Sequence, residues 1–294
     1  MKLRNKTDGI LNFSDYKKWY FKLFYAVLIL VLLFIVFISV VPPLWVLISG
    51  FKDPSELFSP KFSFFPEHFR LSKIFDSWER LNVGKYYLNS IIVVAGSVVS
   101  AVLFNGLMAY VISVLKPAGH KIIYALLLMT MMIPAVTNMR TLLGNIAKLG
   151  LMQKYLPLWL SYGANVFYIV MFKTYFDSIP KPLIEAARLD GASNWQIFTR
   201  IVFPLSLPIV MVVSIFAINA SWSDFLLPYL VLNSVPDKQT LMVRIYSVNM
   251  NPPSGMTQDQ ILMLIGLSII PVLILFGIFQ RQITDSVATT GIKE

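Results

Sequence analysis

Uncharged residues arrive along this chain in six long blocks separated by polar stretches. Counted between charged positions, they are Leu23–Phe51, Tyr86–Leu115, Ile122–Met139, Tyr155–Phe172, Ile201–Ser223 and Gln260–Gln280. Each block holds at least 18 residues. A helix rising 1.5 Å per residue needs roughly 20 residues to cross the hydrocarbon core of a bilayer. The pattern therefore predicts an all-α membrane protein with six transmembrane helices. Blocks three and four, at 18 residues each, sit at the lower limit. The first block outruns the usual h-region of a signal peptide, about 7–15 residues, and no A-x-A site follows it. It is expected to stay as an anchor, kinked or ended at Pro42-Pro43.

The polar stretches give the orientation. Six basic residues (Lys2, Arg4, Lys6, Lys17, Lys18, Lys22) precede the first block, against Asp8 and Asp15. Such a cluster is held on the cytoplasmic side. Six spans then leave both termini cytoplasmic, loops 116–121 and 173–200 inside, and loops 52–85, 140–154 and 224–259 outside. Fourteen basic residues fall inside and eleven outside, so the amino-terminal cluster carries most of the assignment. The expected organisation is a basic arm (1–22), one six-helix membrane domain (23–283) and a short cytoplasmic tail (284–294). Within the outer loop 52–85, Pro60 and Pro66 predict an extended segment, followed by a short helix near "SKIFDSWERL".

Composition agrees with the membrane assignment. The chain has 294 residues, 56% of them hydrophobic and 14% charged, with a mean hydropathy of +0.68. A soluble domain of this length carries about a quarter charged residues. The net charge of +10 lies in loops and the amino-terminal arm, which points to a membrane surface and not to nucleic acid. There are no cysteines, which excludes disulfides and thiolate chemistry, and His68 and His120 stand far apart with no metal-ligand spacing. No metal, cofactor or catalytic residue is expected.

Ionisable residues are nearly absent from the blocks; only Asp224, at the outer end of block five, comes close. An ion-coupled secondary transporter or channel uses intramembrane charges or paired broken helices, and a polytopic membrane enzyme needs an acid, base or metal cluster. Neither signature is present. A phosphate-binding G-x-x-x-x-G-K-[ST] loop is also missing. Energy for transport would have to come from another chain.

The stretch "EAARLDGASNWQIFTRIVFPLSLP", Glu185 to Pro208, lies in the inner loop between blocks four and five. A helix over about 182–196 is predicted, with Pro182 at its start and Glu185 near its positive end. Ala186, Ala187, Gly191 and Ala192 give one side little bulk; Leu183, Leu189, Trp195 and Phe198 supply apolar knobs. Pro204 and Pro208 bend the chain into block five. Physically, this suits either an interfacial helix lying on lipid or a knob for the groove of a soluble partner.

These residues resemble the E-A-A-x₃-G-x₉-I-x-L-P loop of permease subunits of ATP-binding-cassette importers. Glu185, Ala186, Ala187, Gly191, Ile201 and Pro204 match at the right spacing; Phe203 stands where Leu is usual. "SGFKDPSELF", "YYLNSIIVV", "MMIPAVTNMRTLLGNIAKLGLMQKY", "SWSDFLLPYLVL" (Ser223 where Asn is usual) and, loosely, the tail "FQRQITDSVATTGIKE" extend the resemblance over most of the chain. They look like the carbohydrate-uptake branch, the maltose-permease-like second subunit, nearest to importers of complex oligosaccharides.

The resemblance implies a type I importer permease fold in which residues 182–196 form the coupling helix. It implies a second homologous permease, two cytoplasmic ATPase subunits, an extracellular solute-binding protein and a sugar or oligosaccharide cargo. The alternatives are a permease of this class for another solute, or an ion-coupled transporter or channel. Asn105, Asn219, Trp222 and Asp224, with Ser221 and Tyr229, are the candidates for a sugar path, because sugars are held by aromatic faces and hydrogen-bonding side chains. For Trp222 and Tyr229 the competing role is a belt at the bilayer edge; for Asn105 and Asn219 it is hydrogen bonding between helices. Asn219 and Trp222, three residues apart, are expected to share one face. Outer loop 233–259, broken by Pro252-Pro253 and Gly255, is expected to meet the binding protein.

Overall fold

The structure is a computed structural model that describes the backbone of residues 19–291 and the side chains of residues 19–134 and 137–280. Most of the basic arm and the side chains of the tail motif from Arg281 onward lie outside the described residues. The chain forms two compact units. One joins the segment ending at Leu71 to Thr257–Gly266; the other joins Ser72–Met256 to the segment from Leu267 onward.

In the first unit, α1 (Trp19–Ser49) is a 31-residue helix, about 46 Å long, with apolar side chains exposed almost all round. Of the two outcomes expected at Pro42-Pro43, a kink or an end, the helix does not take the second: it runs on to Ser49. A proline in an apolar helix removes single hydrogen bonds, and local adjustment keeps such helices intact. Gly50 and Gly266 allow close approach to Met263 and Leu47. A β-carbon at Gly50 would lie 2.8 Å from Met263 Cα, and one at Gly266 3.0 Å from Leu47 Cδ2. The loop after α1 carries α2 (Pro54–Leu57) and is tied by Arg70 to Asp53 at 2.6 Å.

The second unit opens with α3 (Ser72–Arg80), at the position expected from "SKIFDSWERL". Next comes α4 (Val83–Tyr110), which continues through a π-turn at Val111–Leu115. Then follow α5 (His120–Thr130), α6 (Met139–Lys148), α7 (Leu156–Gly163) and α8 (Val166–Asp177). After these come α9 (Lys181–Leu189), α10 (Asn194–Ile197), a π-turn at Phe198–Val202, α11 (Phe203–Leu205) and α12 (Leu207–Ser223). The unit continues through α13 (Leu226–Leu232) and α14 (Leu241–Met250); α15 (Gln258–Gly291) begins in the first unit.

Among the described residues, three helices are long and apolar enough to cross a bilayer: α1, α4 with its π-turn, and α15 over Gln258–Gln280. A fourth is available if the segments on either side of Ser206, bent by 77°, count as one span. The remaining blocks are divided. Block three gives only the 11-residue α5 before a turn at Met131–Pro134, because Pro134 cannot continue the ladder. Block four breaks between α7 and α8 at Ala164–Asn165. Block five loses its start: Ile201–Leu205 belongs to the segment before the bend, so α12 keeps 17 residues, about 25 Å.

The packing centre of the second unit is α4, which lies against α7, α8 and α12. Its buried face is built from small and polar residues: Ser90, Ser97, Ser100, Ala101, Asn105, Gly106 and Ala109. Apolar helices in lipid gain little from hydrophobic burial against each other, so close backbone approach and interhelical hydrogen bonds hold them together. Ser221 Oγ on α12 meets Ser97 Oγ at 3.1 Å. Loop 233–259 is also fixed to this helix. Asn89 Nδ2 donates to the carbonyls of Asp237 and Gln239, and Ser90 Oγ accepts from Leu241 N–H. The Lys85 ammonium hydrogen-bonds to Asp237 and holds its carboxyl below its ordinary value.

Gly96 sits where α4 crosses α7. A β-carbon there would lie 2.4 Å from Cε2 and Nε1 of Trp159, a rigid ring with little room to shift. Gly96→Leu is expected to cost about 1–3 kcal/mol, the usual range for overpacking. Thermal unfolding in detergent should show a lower midpoint, restored in large part by Trp159→Ala in the same chain.

Candidate coupling segment and path residues

The segment after α8 is a pair of short helices joined at Gly191, not the single helix over 182–196 that the sequence predicts. The cause is the glycine. Gly191 has φ +78°, a conformation that costs an L-residue about 1–2 kcal/mol. Its N–H bonds to Arg188 O at 3.1 Å, and Ala192 N–H reaches back to Ala187 O at 3.0 Å. This is the 5→2 and 6→1 pairing of a Schellman cap. Ser193 then starts α10 with a capping box: its Oγ accepts from Gln196 N–H at 3.3 Å while its own N–H donates to Gln196 Oε1 at 2.8 Å.

The motif divides into an inward and an outward half. Ile184, Ala187, Ile197, Phe198 and Val202 are buried in a core shared with Ala109, Tyr110, Ile112, Phe172 and Phe176 of α4, its π-turn and α8. Phe198, expected as a surface knob, is therefore an anchor, its ring 5.0 Å from that of Tyr110. Tyr110 Oη also donates to Asn194 O at 2.9 Å. On the outer side, Glu185 and Ala186 are exposed, and a side chain at Gly191 would meet nothing within 4 Å. Leu183, Leu189 and Trp195 are 47%, 89% and 60% exposed. Ile201 is half-buried and Pro204 exposed.

The four path candidates do not come together. Asn105 is fully buried. Its Nδ2 donates to Ala101 O at 2.7 Å and Tyr162 O at 2.8 Å, and its Oδ1 accepts from Asn165 N–H at 3.0 Å. It bonds helices together at the break between α7 and α8, where Asn165 Oδ1 caps α8. Trp222 is 6% exposed, donates from Nε1 to Ser268 O at 3.1 Å, and packs on Tyr87 with ring centroids 5.5 Å apart. Asn219 is exposed on α12. The expected common face of Asn219 and Trp222 is absent. Three residues leave an offset of about 60° around a helix, and the edge of the core runs between them.

Asp224 is half-buried in an extended conformation between α12 and α13, its carboxylate close to the N–H groups of Leu227 and Leu226. It stands at the C-terminal end of α12, two residues before α13. Beside it, Phe225, Tyr229 and Tyr246 form a three-ring cluster with centroids 4.7–5.2 Å apart. Phe225 and Tyr229 could have been paired from their i, i+4 spacing; Tyr246 comes from α14 and gave no sequence signal. Among the described residues no group of three or more His, Cys, Asp and Glu could hold a metal ion.

Residues 15–288 match the family described as binding-protein-dependent transport system inner membrane component. The diacetylchitobiose uptake system permease protein of Streptomyces coelicolor is 33% identical over 253 residues, 85% of this chain and 83% of that protein. The arabinooligosaccharides transport system permease protein of Halalkalibacterium halodurans is 30% identical over 88% of this chain and 93% of its own. A chain from the crystal structure of a bacterial ABC transporter involved in import of the acidic polysaccharide alginate superposes with a TM-score of 0.78. It is 21% identical and covers 93% of this chain and 99% of that one, so an ABC importer permease fold is shared. With a match over nearly its whole length, the chain belongs to the family of binding-protein-dependent transport system inner membrane components.

Proposed function

We propose that this chain is the non-catalytic membrane subunit of an ATP-driven importer of sugars or oligosaccharides. It lines the translocation path with a second homologous permease, couples to two cytoplasmic ATPase subunits and receives cargo from an extracellular binding protein. The carbohydrate-uptake relatives support the cargo class. The observation that carries the coupling role is the α9–α10 pair. Its inner face is locked into the core of α4 and α8, while Leu183, Glu185, Leu189 and Trp195 project outward. An exposed apolar patch of this kind on a firmly seated helix is the geometry of a docking knob.

In this reading six spans form from α1, α4, α5 with the turn that follows, the broken pair α7–α8, α12 and α15. Both termini and the α9–α10 pair are then cytoplasmic, and loop 233–259 faces the binding protein. Of the path candidates, Asn219 is the one presented at a surface; Asp224, Trp222 and Asn105 build the wall behind it.

Glu185→Lys and Trp195→Ala alter exposed side chains and should change stability by less than about 0.5 kcal/mol. Co-purification of the ATPase subunits and sugar uptake should nevertheless fall at least tenfold. Normal uptake in both variants, at normal expression, would remove the coupling role. Gly191→Asn, which tolerates the left-handed conformation, should retain more transport than Gly191→Leu.

A cysteine placed at Asn219 in this cysteine-free chain should react with a water-soluble thiol reagent, more slowly when cargo is trapped. Reaction with lipid-soluble reagents alone would put α12 against the bilayer. Trp222→Ala should instead lower stability by about 3–5 kcal/mol, as loss of a large buried side chain does.

A further inference from the structure

The second unit contains a basic cleft of about 390 Å³ that neither the coupling knob nor the path uses. Lys116, Lys121, Lys173 and Lys181 line it with His120 and Tyr124; Asp177 is its one carboxylate. That carboxylate is already engaged, by Lys173 Nζ at 2.5 Å and Ser113 Oγ at 2.5 Å. Lys173 also lies 4.8 Å from the centroid of the Tyr124 ring. Among the described residues, Lys116, Lys121 and Lys181 make no ion pair. The backbone shapes the cleft: Lys116, at φ +49°, ends the π-turn of α4, and the chain turns through Pro117–Gly119 into α5.

What leaves the cleft identifies its occupant. α5 starts at His120, on the rim; Ala125 and Leu128 follow Lys121 along one face, both exposed, with Ile122 and Met129 beside them at 67% and 60% exposure. A cluster of unpaired ammonium groups thus adjoins an uncovered apolar stripe on one helix. An acidic loop of a soluble partner would satisfy the lysines and leave the stripe bare. A molecule with an anionic head and hydrocarbon tails satisfies both. We propose that this cleft binds the phosphodiester headgroup of an anionic glycerophospholipid, with its acyl chains along α5. Basic pockets between membrane helices hold such headgroups, each nearby lysine contributing about 1 kcal/mol, roughly a fivefold factor in binding. The site shares Lys116, Asp177 and Lys181 with the neighbouring cleft lined by Ile184, Glu185 and Arg188 of α9, so a bound lipid would brace the base of the coupling segment.

The test uses the intact importer complex in lipid nanodiscs, with Ala118→Cys on the exposed turn labelled by a fluorophore. Headgroup-labelled quencher lipid is titrated as phosphatidylglycerol or as phosphatidylcholine. Quenching by phosphatidylglycerol should half-saturate at a mole fraction at least about fivefold lower than by phosphatidylcholine. Lys121→Gln should raise that midpoint about fivefold and Lys116→Asn with Lys121→Gln further, while Lys121→Arg keeps it and the phosphatidylcholine curve stays put. The comparison of the two lipids on unaltered lysines decides the matter even if a lysine variant folds poorly. Identical curves for the two lipids would overturn the proposal. So would displacement by about 10 mM inorganic phosphate as complete as that by unlabelled phosphatidylglycerol. Shielding of the thiol introduced at position 118 by the ATPase subunit, with no quenching by either lipid, would assign the lysines to a protein contact instead.

Discussion

Every break in a helix inside an apolar block frees backbone groups that no water is present to satisfy, and this fold depends on how they are paired. An unsatisfied amide or carbonyl in hydrocarbon costs several kcal/mol. The α7–α8 break is the clearest case. Its freed Tyr162 carbonyl and Asn165 N–H both go to one side chain, Asn105 of α4, at 2.8 and 3.0 Å. Asn165 then uses its own side chain to cap α8. At the bend before α12, Ser206 Oγ donates to Val202 O at 2.6 Å. Between α12 and α13, the Asp224 carboxylate lies close to the N–H groups of Leu227 and Leu226. Polar residues scattered through the blocks are therefore the conditions under which the blocks can be interrupted.

The same logic explains how much was readable in advance. The all-helical class followed from block length, and the short helix at Ser72–Arg80 was expected after the extended segment set by Pro60 and Pro66. The interruptions did not follow, because a charge-free block reads as one helix unless the partner of its freed carbonyl is known, and Asn105 lies some 60 residues from the bonds it makes. The Gly191 break was visible as a residue but not as a geometry: a glycine within a helical pattern is compatible with close packing or with a left-handed cap, and only the Schellman bonds distinguish them. Asn219 and Trp222 were misjudged together because helical spacing gives relative angle, while the position of the core edge comes from what α12 packs against, here Tyr87 and Ser268. Loop 233–259 read as a proline-broken loop, yet it contains α14 with Leu241, Val243 and Val248 buried.

The division of the Glu185 motif has a mechanical consequence. Its apolar inner residues are continuous with the tightest part of the second unit: Ile197 and Val202 are fully buried, and Tyr110 bonds Asn194 across from α4. Interiors packed to crystal density transmit displacement with little compression. A push on Leu189 or Trp195 is thus borne by α4 and α8 directly. The Schellman cap adds stiffness at the one point where the pair would otherwise hinge, since Gly191 is held by its own and its neighbour's N–H. The π-turns at Val111–Leu115 and Phe198–Val202 flank this seat, and each marks a place where the helical ladder is already loosened. Motion imposed on the exposed side of this pair would therefore move α9 and α10 as one body with the end of α4. It would be taken up beyond them at the 77° bend beside Ser206, the next point along the chain where a helix is interrupted before α12 and the surface that carries Asn219.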